Sequence, residues 1–583
     1  MRIIGFLNNK SHKFNAGMLG NEFMTIASDD RLTIYRDCRA SGKNLFSHNR
    51  HDIFVILDGH ISNWPGSDDN SDDILNLIID DYLLKGVEAF NSLDGSYSII
   101  LWDKNKETLY LRRDIYGTKL LYYYLSPGNG LYFSNNLDLL VRTTGPKSIS
   151  HKALHEYLRF LDISPPYTIY EDVYFLEPEK ILVSRGGEIA LKNVEARSFT
   201  GKQRNSSLKD VMHDFREMLT NSIEKRISGA REIGIFLSSG IDSALVCALA
   251  AAFRKDIKSY TVGFDDPQYD ESSVAQSITN YLGINHQVFK FTLDEDRAAF
   301  NDFVSRISSP FADPAVIPTY QCFKHISNGI DVVLDGTGAD SLIGIMPARH
   351  IRFILKYFRH IPFRTRLMFS DQLRKLKLFS SYSDLFNFVN AVELLIRWHG
   401  WTEEEISSLC GERCDLSHTR FYRMYEENLH KDPFDLYSLL IGALPDDRIH
   451  QTADLFGVNV ALPYFDRNVQ EFVRSLPFKY KYNNKTSKVL FRKLLKDIIP
   501  LSVWDKPKHA FDYPFEQLLK HEDYKLPNTF LSRDVINEHG YFDSALADKY
   551  LRIFLNGDNS VKFKIWALVV FQAWYLSYYK LLK

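Results

Sequence analysis

Two patterns of apolar and polar positions divide this chain. In residues 1–195, short runs of β-branched and aromatic residues are bounded by turn dipeptides such as Asp58-Gly59 and Asp94-Gly95, which is typical of strands. We expect strands at residues 54–57, 96–102, 109–111 and 120–124. Apolar residues at helical spacing predict helices near residues 72–85 and 151–160. Together these elements indicate a layered α+β domain.

After residue 207 the pattern changes to strands that alternate with helices. Strands are expected at residues 233–237, 260–264, 287–293 and 331–334, and helices at 208–227, at 244–253 and around Val274, Ile278 and Leu282. Such alternation predicts a doubly wound parallel α/β sheet, which binds ligands at the carboxyl ends of its strands. Beyond Pro347 the chain is mostly helical. The polar stretch 196–207 is expected to link domains 1–195 and 208–583.

Composition and charge exclude several classes of protein. A content of 14% aromatic residues is too high for a disordered chain. The net charge of -2 provides no whole-protein field that attracts nucleic acid or an anionic membrane, although a local patch stays open. We find neither the roughly 20 apolar residues of a spanning helix nor a secretory signal, so we expect a cytoplasmic protein. The five cysteines are too scattered for a disulfide framework.

The segment Ser238–Ser243 is the sharpest chemical signal. It lies between an apolar strand and an alanine-rich helix, where small residues and free helix N–H groups suit a phosphate. Ser238 and Ser243 add hydroxyl donors, and Asp242 suits a Mg²⁺ ligand beside a polyphosphate. On this hexapeptide alone, an N-capped helix start is an equally good interpretation.

A second turn, Asp335–Asp340, also follows a strand and also ends in an acid. The carboxylates of Asp242 and Asp340 would then hold one or two Mg²⁺ ions against a triphosphate. The alternative is a plain turn whose glycines adopt positive φ. A purely structural role explains one such turn more easily than it explains both.

The two turns, together with several further segments, resemble those of a known family. Ser238–Ser243 is similar to the Ser-Gly-Gly-x-Asp-Ser loop of the N-type ATP pyrophosphatases, and the whole chain resembles the asparagine synthetase family. Five further segments are similar to that family in the same order: 261–272, 309–314, 335–344, 462–466 and 506–511. Residues 58–59, 93–95, 113–117 and 132–134 resemble its class II amidotransferase (glutaminase) domain. The resemblance implies an Ntn-type αββα sandwich followed by the α/β domain.

The resemblance also implies ATP and Mg²⁺ as cofactors, and it assigns site residues. Those expected to bind the nucleotide are Phe236, Leu237, Ser238, Ser239, Gly240, Asp242, Ser243, Val262, Asp335 and Gly336. Asp242 and Asp340 are expected to bind the metal. Lys508 and Thr337 are the catalytic candidates, and Lys508 would neutralise charge on the α-phosphate and on the tetrahedral intermediate.

The sequence departs from the family in both halves. A class II glutaminase uses an N-terminal cysteine as its nucleophile, whereas here Met1 is followed by Arg2 and the nearest cysteine is Cys38. The family's Asn-Gly-Glu turn reads Asp58-Gly59-His60, so we expect no glutamine hydrolysis. In the other half, Thr337 replaces a glutamate and Ser239 replaces a glycine. Residues 459–461 replace Glu-x-Arg. The residues expected to handle ATP are mostly retained, and those near the other substrates are altered.

These features predict an ATP-dependent, AMP-forming amide synthetase. A substrate carboxylate would be adenylated and then attacked by an amine or ammonia, intramolecularly if the chain acts as β-lactam synthetases and lasso-peptide cyclases do. A peptide substrate with a protease partner is one expected setting. The alternatives are amidation of aspartate or a sugar acid, and a non-catalytic nucleotide- or RNA-binding relative. Neither a membrane nor a nucleic acid is expected as a partner.

Residues 349–377 interleave basic and aromatic side chains. The interpretation that we favour is amphipathic helices with solvated basic faces and aromatic side chains in the core. A nucleic-acid face or a groove for an acidic peptide is the alternative.

Overall fold

The structure is a computed structural model. It describes residues 2–8, 22–37, 45–62, 71–127, 130–145, 147–194, 207–358, 360–375, 385–386, 388, 391–395, 400–443, 448–483, 486–506 and 513–582. Residues 196–206 of the predicted linker lie outside the described residues. The catalytic candidate Lys508 also lies outside them.

The N-terminal half contains two six-stranded antiparallel sheets. The first has the order β10-β8-β9-β1-β3-β2 and the second the order β12-β11-β7-β6-β5-β4. The strands are β1 Ile3–Leu7, β2 Phe23–Ser28, β3 Leu32–Asp37, β4 Leu45–Arg50, β5 Ile53–Ile61, β6 Gly95–Asp103, β7 Thr108–Arg113, β8 Tyr122–Ser126, β9 Gly130–Ser134, β10 Val173–Phe175, β11 Lys180–Arg185 and β12 Glu188–Asn193. The helices are α1 Ser71–Lys85, α2 Leu137–Thr144 and α3 His151–Phe160, and a 3₁₀ helix spans Gly86–Ser92.

Side chains from both sheets form one apolar layer between them, including Ile3 and Ile34 of the first sheet and Ile56 and Leu111 of the second. Helix α1 packs on the outer face of the second sheet, and α2 packs on the first. The predicted αββα sandwich is therefore confirmed. The expected helices and four strands are present, although the observed strand ends differ from the expected ones by one to four residues.

Strand β1 was not among the predicted elements. Its sequence Ile-Ile-Gly-Phe-Leu has no polar alternation, and all five residues are buried. Ile3 and Leu7 pack into the layer between the sheets, whereas Ile4 packs into the core that contains α2 and α3. A strand that is covered on both faces loses the period-two pattern from which strands are recognised.

The C-terminal half contains a five-stranded parallel sheet of order β15-β14-β13-β16-β17. These strands are β13 Ile233–Phe236, β14 Lys258–Gly263, β15 Asn285–Lys290, β16 Val332–Leu334 and β17 Asn459–Ala461. The helices around them are α4 Leu208–Ile227, α5 Ile241–Phe253, α6 Ser272–Leu282, α7 Leu293–Arg306, α8 Val316–Ile326 and α9 Ala339–Ile343. The doubly wound parallel sheet is confirmed. The short β17 was missed, because three residues carry no periodic signal.

The remaining helices form the predicted helical extension. They are α10 Arg349–Tyr357, α11 Phe363–Lys375, α12 Glu403–Cys410, α13 Arg420–Glu427, α14 Pro433–Ala443, α15 Arg448–Phe456, α16 Arg467–Ser475, α17 Phe478–Lys481, α18 Val489–Ile498, α19 Leu501–Trp504, α20 Phe515–Phe530, α21 Arg533–Asn537, α22 Ser544–Leu555, α23 Lys562–Trp574 and α24 Lys580–Leu582. The hairpin β18 Tyr482–Asn483 and β19 Thr486–Ser487 precedes α18. Short 3₁₀ helices span Ala391–Leu395, Pro463–Phe465 and Asn559–Val561, and a π-helical turn spans Tyr575–Tyr579. Within the described ranges no helix is long and apolar enough to cross a membrane.

One hydrophobic core runs through both halves. It joins α2 and α3 of the sandwich to α7, α12 and α23 of the C-terminal half. Polar contacts follow the same path: the Tyr157 hydroxyl donates to the Ala567 carbonyl at 2.8 Å, and the Trp401 indole donates to the Lys564 carbonyl at 3.1 Å. The two halves are thus packed into one body around a shared apolar interior.

Candidate functional site

The candidate site lies where the strand order of the parallel sheet reverses. Strands β14 and β15 extend the sheet on one side of β13, whereas β16 and β17 extend it on the other. The turns that follow β13 and β16 therefore emerge side by side at their carboxyl ends. Such a switch point leaves a crevice that binds ligands in open α/β sheets.

The first turn is ordered by its own hydroxyl groups. The Ser238 and Ser243 Oγ atoms lie 3.1 Å apart, and the Gly240 N–H donates to Ser238 Oγ at 3.0 Å. Helix α5 begins at Ile241, earlier than predicted, so Asp242 and Ser243 lie in its first turn. The backbone N–H groups of that turn have no partner within the helix, which makes this end suited to an anion.

Ser239 behaves differently from its neighbours. Its hydroxyl donates to Glu271 Oε1 at 2.7 Å, and its N–H donates to Glu271 Oε2 at 3.2 Å. A cavity, described below, lies beside this turn. The other nucleotide-binding candidates line it, but Ser239 does not. The serine that replaces the family's glycine is therefore used to fix the turn against the start of α6.

The second turn approaches the first very closely. A Cβ atom at Gly336 would lie 2.9 Å from the Ser243 nitrogen, so only glycine fits there without displacement of backbone. The Thr337 hydroxyl donates to Asp335 Oδ1 at 2.6 Å. Gly338 has a φ of 92°, which directs the chain into α9 and places Asp340 in the first turn of that helix.

A residue that the sequence analysis did not select joins the two turns. The ammonium group of Lys488 contacts both the Asp242 and the Asp340 carboxylates, with 2.5 Å to Asp242 Oδ2. Lys488 is 7% exposed and has a φ of 56°, immediately before α18. Burial opposes its charge, but the two carboxylates outweigh burial and raise the pKa of Lys488. No sequence pattern distinguishes it from the nearby Lys485 and Lys493.

The same contact shows how close the Asp242 and Asp340 carboxylates lie to each other. Since one ammonium ion bridges Asp242 and Asp340, their oxygens are close enough for a single cation to contact both. Carboxylate oxygens are the ligands that Mg²⁺ prefers. Tyr464 is fully buried, and its hydroxyl donates a hydrogen bond to the Asp242 carbonyl at 3.0 Å. This bond helps to hold the first turn in place.

A cavity of about 960 Å³ opens from these turns and extends between the two halves. Its wall includes Thr337 and Asp340 together with nine of the ten residues expected to bind nucleotide, namely Phe236, Leu237, Ser238, Gly240, Asp242, Ser243, Val262, Asp335 and Gly336. The remaining catalytic candidate, Lys508, stays a prediction.

The sandwich domain contributes a wall of the same cavity. Arg113, Tyr116 and Gly117 line it from the turn after β7. The ring of Tyr116 stacks on Phe465 with 5.4 Å between centroids, and Phe465 in turn packs beside Gly338 of the second turn. The N-terminal half is thus in direct contact with the residues that frame the candidate site.

Ion pairs and hydrogen bonds cluster at one edge of the sandwich, around the start of β1. Arg2 precedes β1 and pairs with Asp37 at 2.6 Å. Asn135 accepts from the Ile3 N–H at 2.9 Å and donates to Asp58 Oδ2 at 2.8 Å. Lys119 lies 3.3 Å from Asp58 Oδ1. These contacts hold the start of β1 and the Asp58 turn together.

The described residues offer one further group of potential metal ligands, Asp294, His521 and Glu522. Both carboxylates also lie against the Arg297 guanidinium, which competes with a cation. The pair Asp242 and Asp340 is the better metal candidate, because it lies beside an anion-binding helix start. The fold and this site together define a parallel α/β domain, with an anion-binding crevice at its switch point, joined to an amidotransferase-type sandwich.

Comparison with known proteins agrees with that class. A family model described as Asparagine synthase matches residues 214–576, and one described as Glutamine amidotransferase domain matches residues 16–194. Asparagine synthetase [glutamine-hydrolyzing] 1 of Bacillus subtilis is 25% identical over 569 residues, which cover 94% of this chain and 88% of that protein. A putative asparagine synthetase [glutamine-hydrolyzing] of Mycobacterium tuberculosis is 25% identical over 512 residues, 84% of this chain and 78% of that protein.

Among solved structures, glutamine phosphoribosylpyrophosphate amidotransferase from B. subtilis covers 50% of this chain and 74% of its own, at 10% identity and a TM-score of 0.21. The chain belongs to the asparagine synthase family. It is accordingly an ATP-dependent carbon–nitrogen ligase by family, and the family uses ATP with Mg²⁺ as its typical metal.

Proposed function

We propose that this protein adenylates a substrate carboxylate and then joins it to an amine or to ammonia, with release of pyrophosphate and AMP. The carboxylate oxygen attacks the α-phosphorus of ATP, and the bond to the β-phosphate oxygen breaks. The amine nitrogen then attacks the acyl carbon, AMP leaves, and the nitrogen gives up a proton to form a neutral amide. The two acid-bearing turns joined by Lys488 are the observation that carries this proposal.

The first turn is suited to the leaving pyrophosphate. Ser238 and Ser243 line the cavity, the first N–H groups of α5 have no partner within the helix, and the helix dipole favours an anion there. Asp242 and Asp340 would hold Mg²⁺, which neutralises phosphate charge when it is bound. We propose that Lys488 then releases the carboxylates and places its ammonium against the phosphate oxygens. Thr337 and Lys508 remain candidates at the acyl carbon.

We further propose that the sandwich domain does not hydrolyse glutamine. Support comes from the turn Asp58-Gly59-His60, which replaces the family's Asn-Gly-Glu, and from the contacts of Asp58 with Lys119 and Asn135. Without ammonia from glutamine, an amine substrate is favoured over amidation of aspartate or a sugar acid. Cyclisation of a peptide or a smaller molecule, by an amine of the same substrate, is one form of this reaction.

The test is release of pyrophosphate and AMP from ATP with a panel of carboxylates, each with and without an amine donor. An Asp242→Asn variant should lose turnover by roughly 10²-fold or more, because a carboxylate is removed from the metal and phosphate region. The exposed Asp505 provides a matched control as Asp505→Asn. Pyrophosphate without AMP, or equal turnover in Asp242→Asn, would contradict the proposal.

Glutamine use needs its own assay. The purified chain, incubated with glutamine, ATP and an accepted carboxylate, should release no glutamate, whereas an amine or ammonium salt should sustain product formation. Glutamate release that is abolished by Arg2→Ala or by Asp58→Ala would show that the sandwich is a glutaminase after all.

A further inference from the structure

The outer sides of α10 and α11 carry large apolar side chains that the fold leaves exposed. The exposed fraction is 54% for Phe353, 55% for Tyr357, 71% for Met368 and 49% for Phe369. The sequence analysis placed the aromatic residues of this stretch in the core. For Phe353, Tyr357 and Phe369 that interpretation was wrong.

The reason is that α10 is apolar on two sides. Ile354 faces inward and packs with Phe388 and Leu394 in a small cluster of its own. Ile351, Leu355 and Phe358 pack against the same cluster, so the middle of the covered side of α10 lies between Ile354 and Leu355. At about 100° per residue, Phe353 and Tyr357 lie roughly 100–150° from the middle of that side. The core therefore covers one apolar side of α10 and leaves the aromatic side in solvent.

Two half-buried rings, Phe358 and Phe386, connect the exposed side chains of the two helices. We call the whole set the aromatic ridge: Phe353, Tyr357, Phe358, Met368, Phe369 and Phe386. Ring centroids lie 4.9 Å apart for Phe353 and Tyr357, and 6.0 Å apart for Phe353 and Phe358. Phe386 then contacts Phe358 at 5.2 Å and Phe369 at 4.9 Å. This chain of contacts connects the exposed side of α10 to that of α11.

Basic residues outnumber acidic ones in the sequence that carries the aromatic ridge. Residues 349–377 contain nine lysine and arginine residues and a single acid, Asp371, although the whole chain has a net charge of -2. Arg349, Lys356 and Arg364 are exposed beside the ridge. The partner of such a surface must be polyanionic and must also accept apolar side chains.

We propose that the aromatic ridge docks on the anionic surface of a phospholipid membrane. The apolar side chains would enter the boundary between headgroups and acyl chains, while the three cations remain at the level of the phosphates. The expectation of no membrane partner rested on the absence of a spanning segment and on the charge of the whole chain. It left a local patch open, and the ridge is such a patch.

Two other occupants fit less well. A second copy of the chain would bring its own cations against Arg349, Lys356 and Arg364, and like charges repel. Single-stranded RNA requires free aromatic faces for base stacking. Here Phe353 and Tyr357 contact each other, and the most exposed apolar side chain is the flexible Met368, which suits an acyl boundary better than a base.

The experiment is co-sedimentation of the full chain with vesicles. Vesicles of phosphatidylcholine and phosphatidylglycerol in equal amounts should bind the chain at least tenfold more tightly than vesicles of phosphatidylcholine alone. Binding should weaken as salt rises above roughly 0.1 M, where the Debye length falls below about 10 Å. In the variant Arg349→Glu/Lys356→Glu/Arg364→Glu, the affinity for the anionic vesicles should fall by roughly fivefold or more for each cation removed.

A second variant separates the apolar contribution from charge. Phe353→Ser/Met368→Ser keeps every cation and should also lose binding, because the inserted side chains are gone. The matched controls are Leu84→Ser, at a side chain 81% exposed on α1, and Lys493→Glu/Lys496→Glu on the exposed side of α18. Both controls should bind vesicles as the unaltered chain does, and thermal melting should show that all variants are folded.

The proposal would be overturned if the chain does not bind vesicles or if it binds both vesicle types equally. It would also be overturned if the control variants lose as much vesicle affinity as the ridge variants. Binding of a mixed-sequence RNA oligonucleotide without binding of vesicles would also overturn it and would assign the ridge to nucleic acid. Vesicle binding does not depend on ATP turnover, so this proposal and the proposed function succeed or fail separately.

Discussion

At the scale of single residues, the candidate site depends on charges that are stabilised by their neighbours. Lys488 keeps its charge in a buried position only because Asp242 and Asp340 face it. This ammonium group occupies the space between the two acids that a metal ion would need. A metal ion held by Asp242 and Asp340, as we propose, would therefore compete with Lys488 for the same carboxylates.

The first prediction concerns that competition. In Lys488→Ala, the affinity for Mg²⁺ without nucleotide should rise, because the ammonium no longer neutralises the two carboxylates, whereas pyrophosphate release should fall by roughly 10²-fold or more. Calorimetric titration with magnesium chloride measures the first effect. Lys493→Ala, on the exposed side of α18, is the control. Unchanged magnesium affinity together with normal turnover would remove Lys488 from the mechanism.

A second prediction concerns the buried Glu156 of α3. Burial raises its pKa to about 8, although its Oε1 accepts the Ser164 N–H at 3.0 Å. Between its ordinary pKa of 4.5 and about 8, the folded chain holds a proton that the unfolded chain has lost. The stability that Glu156 contributes is therefore complete below that window and is lost as pH rises through it.

Glu156→Gln should consequently flatten the pH dependence of stability from about pH 5 to pH 8, because an amide carries no titrating proton. Denaturant unfolding at several pH values measures this. Glu404→Gln, on the exposed side of α12, should retain the slope of the unaltered chain. A Glu156→Gln curve that is parallel to the unaltered one would show that Glu156 is ionised in the fold.

At the scale of elements, the site is built by two strand–turn–helix units whose backbones nearly touch. Gly336 permits this approach, since a Cβ there would meet the backbone of Asp242 and Ser243 within 3.1 Å. The adjacent Gly338 lies against Phe465, which carries the contact on to Tyr116 of the sandwich domain. Close packing of turns, rather than any single hydrogen bond, sets the spacing of the two acids.

Gly336→Ala should therefore separate the turns and weaken ATP binding by roughly tenfold or more, since even small displacements of positioned groups are costly. Gly329→Ala is the matched control, because no atom lies within 4 Å of its added Cβ. Nucleotide titration by calorimetry compares the two. Equal ATP affinity in both variants would mean that the turns tolerate separation.

At the scale of the whole molecule, the two halves share one interior. The core that includes Tyr157 and Leu158 of α3 continues into Trp566 and Leu568 of α23. Separate domains joined only by a linker would each have a closed core of their own. The sandwich is therefore a structural wall of the synthetase half, and this role would remain even if it does not hydrolyse glutamine, as we propose.

A chain cut within residues 196–207, at an engineered protease site, should stay together on gel filtration. It should also unfold in one transition, because the apolar contacts between the halves persist after cleavage. Tyr157→Phe, which removes the 2.8 Å hydrogen bond to the Ala567 carbonyl, should lower the stability of both halves together. Release of a folded C-terminal fragment would contradict this.

The sequence by itself determined most of the elements and the two acid-bearing turns, because those signals are local. Apolar periodicity marks α4 and β13, and small residues with an acid mark the turns at Asp242 and Asp340. It did not identify β1, which is buried on both faces and has no polar alternation. Tertiary structure alone brought Lys488 to the two acids, from far along the chain, through a buried contact that no spacing encodes. It also decided which side of α10 the core covers, and hence that the rings of Phe353 and Tyr357 face solvent.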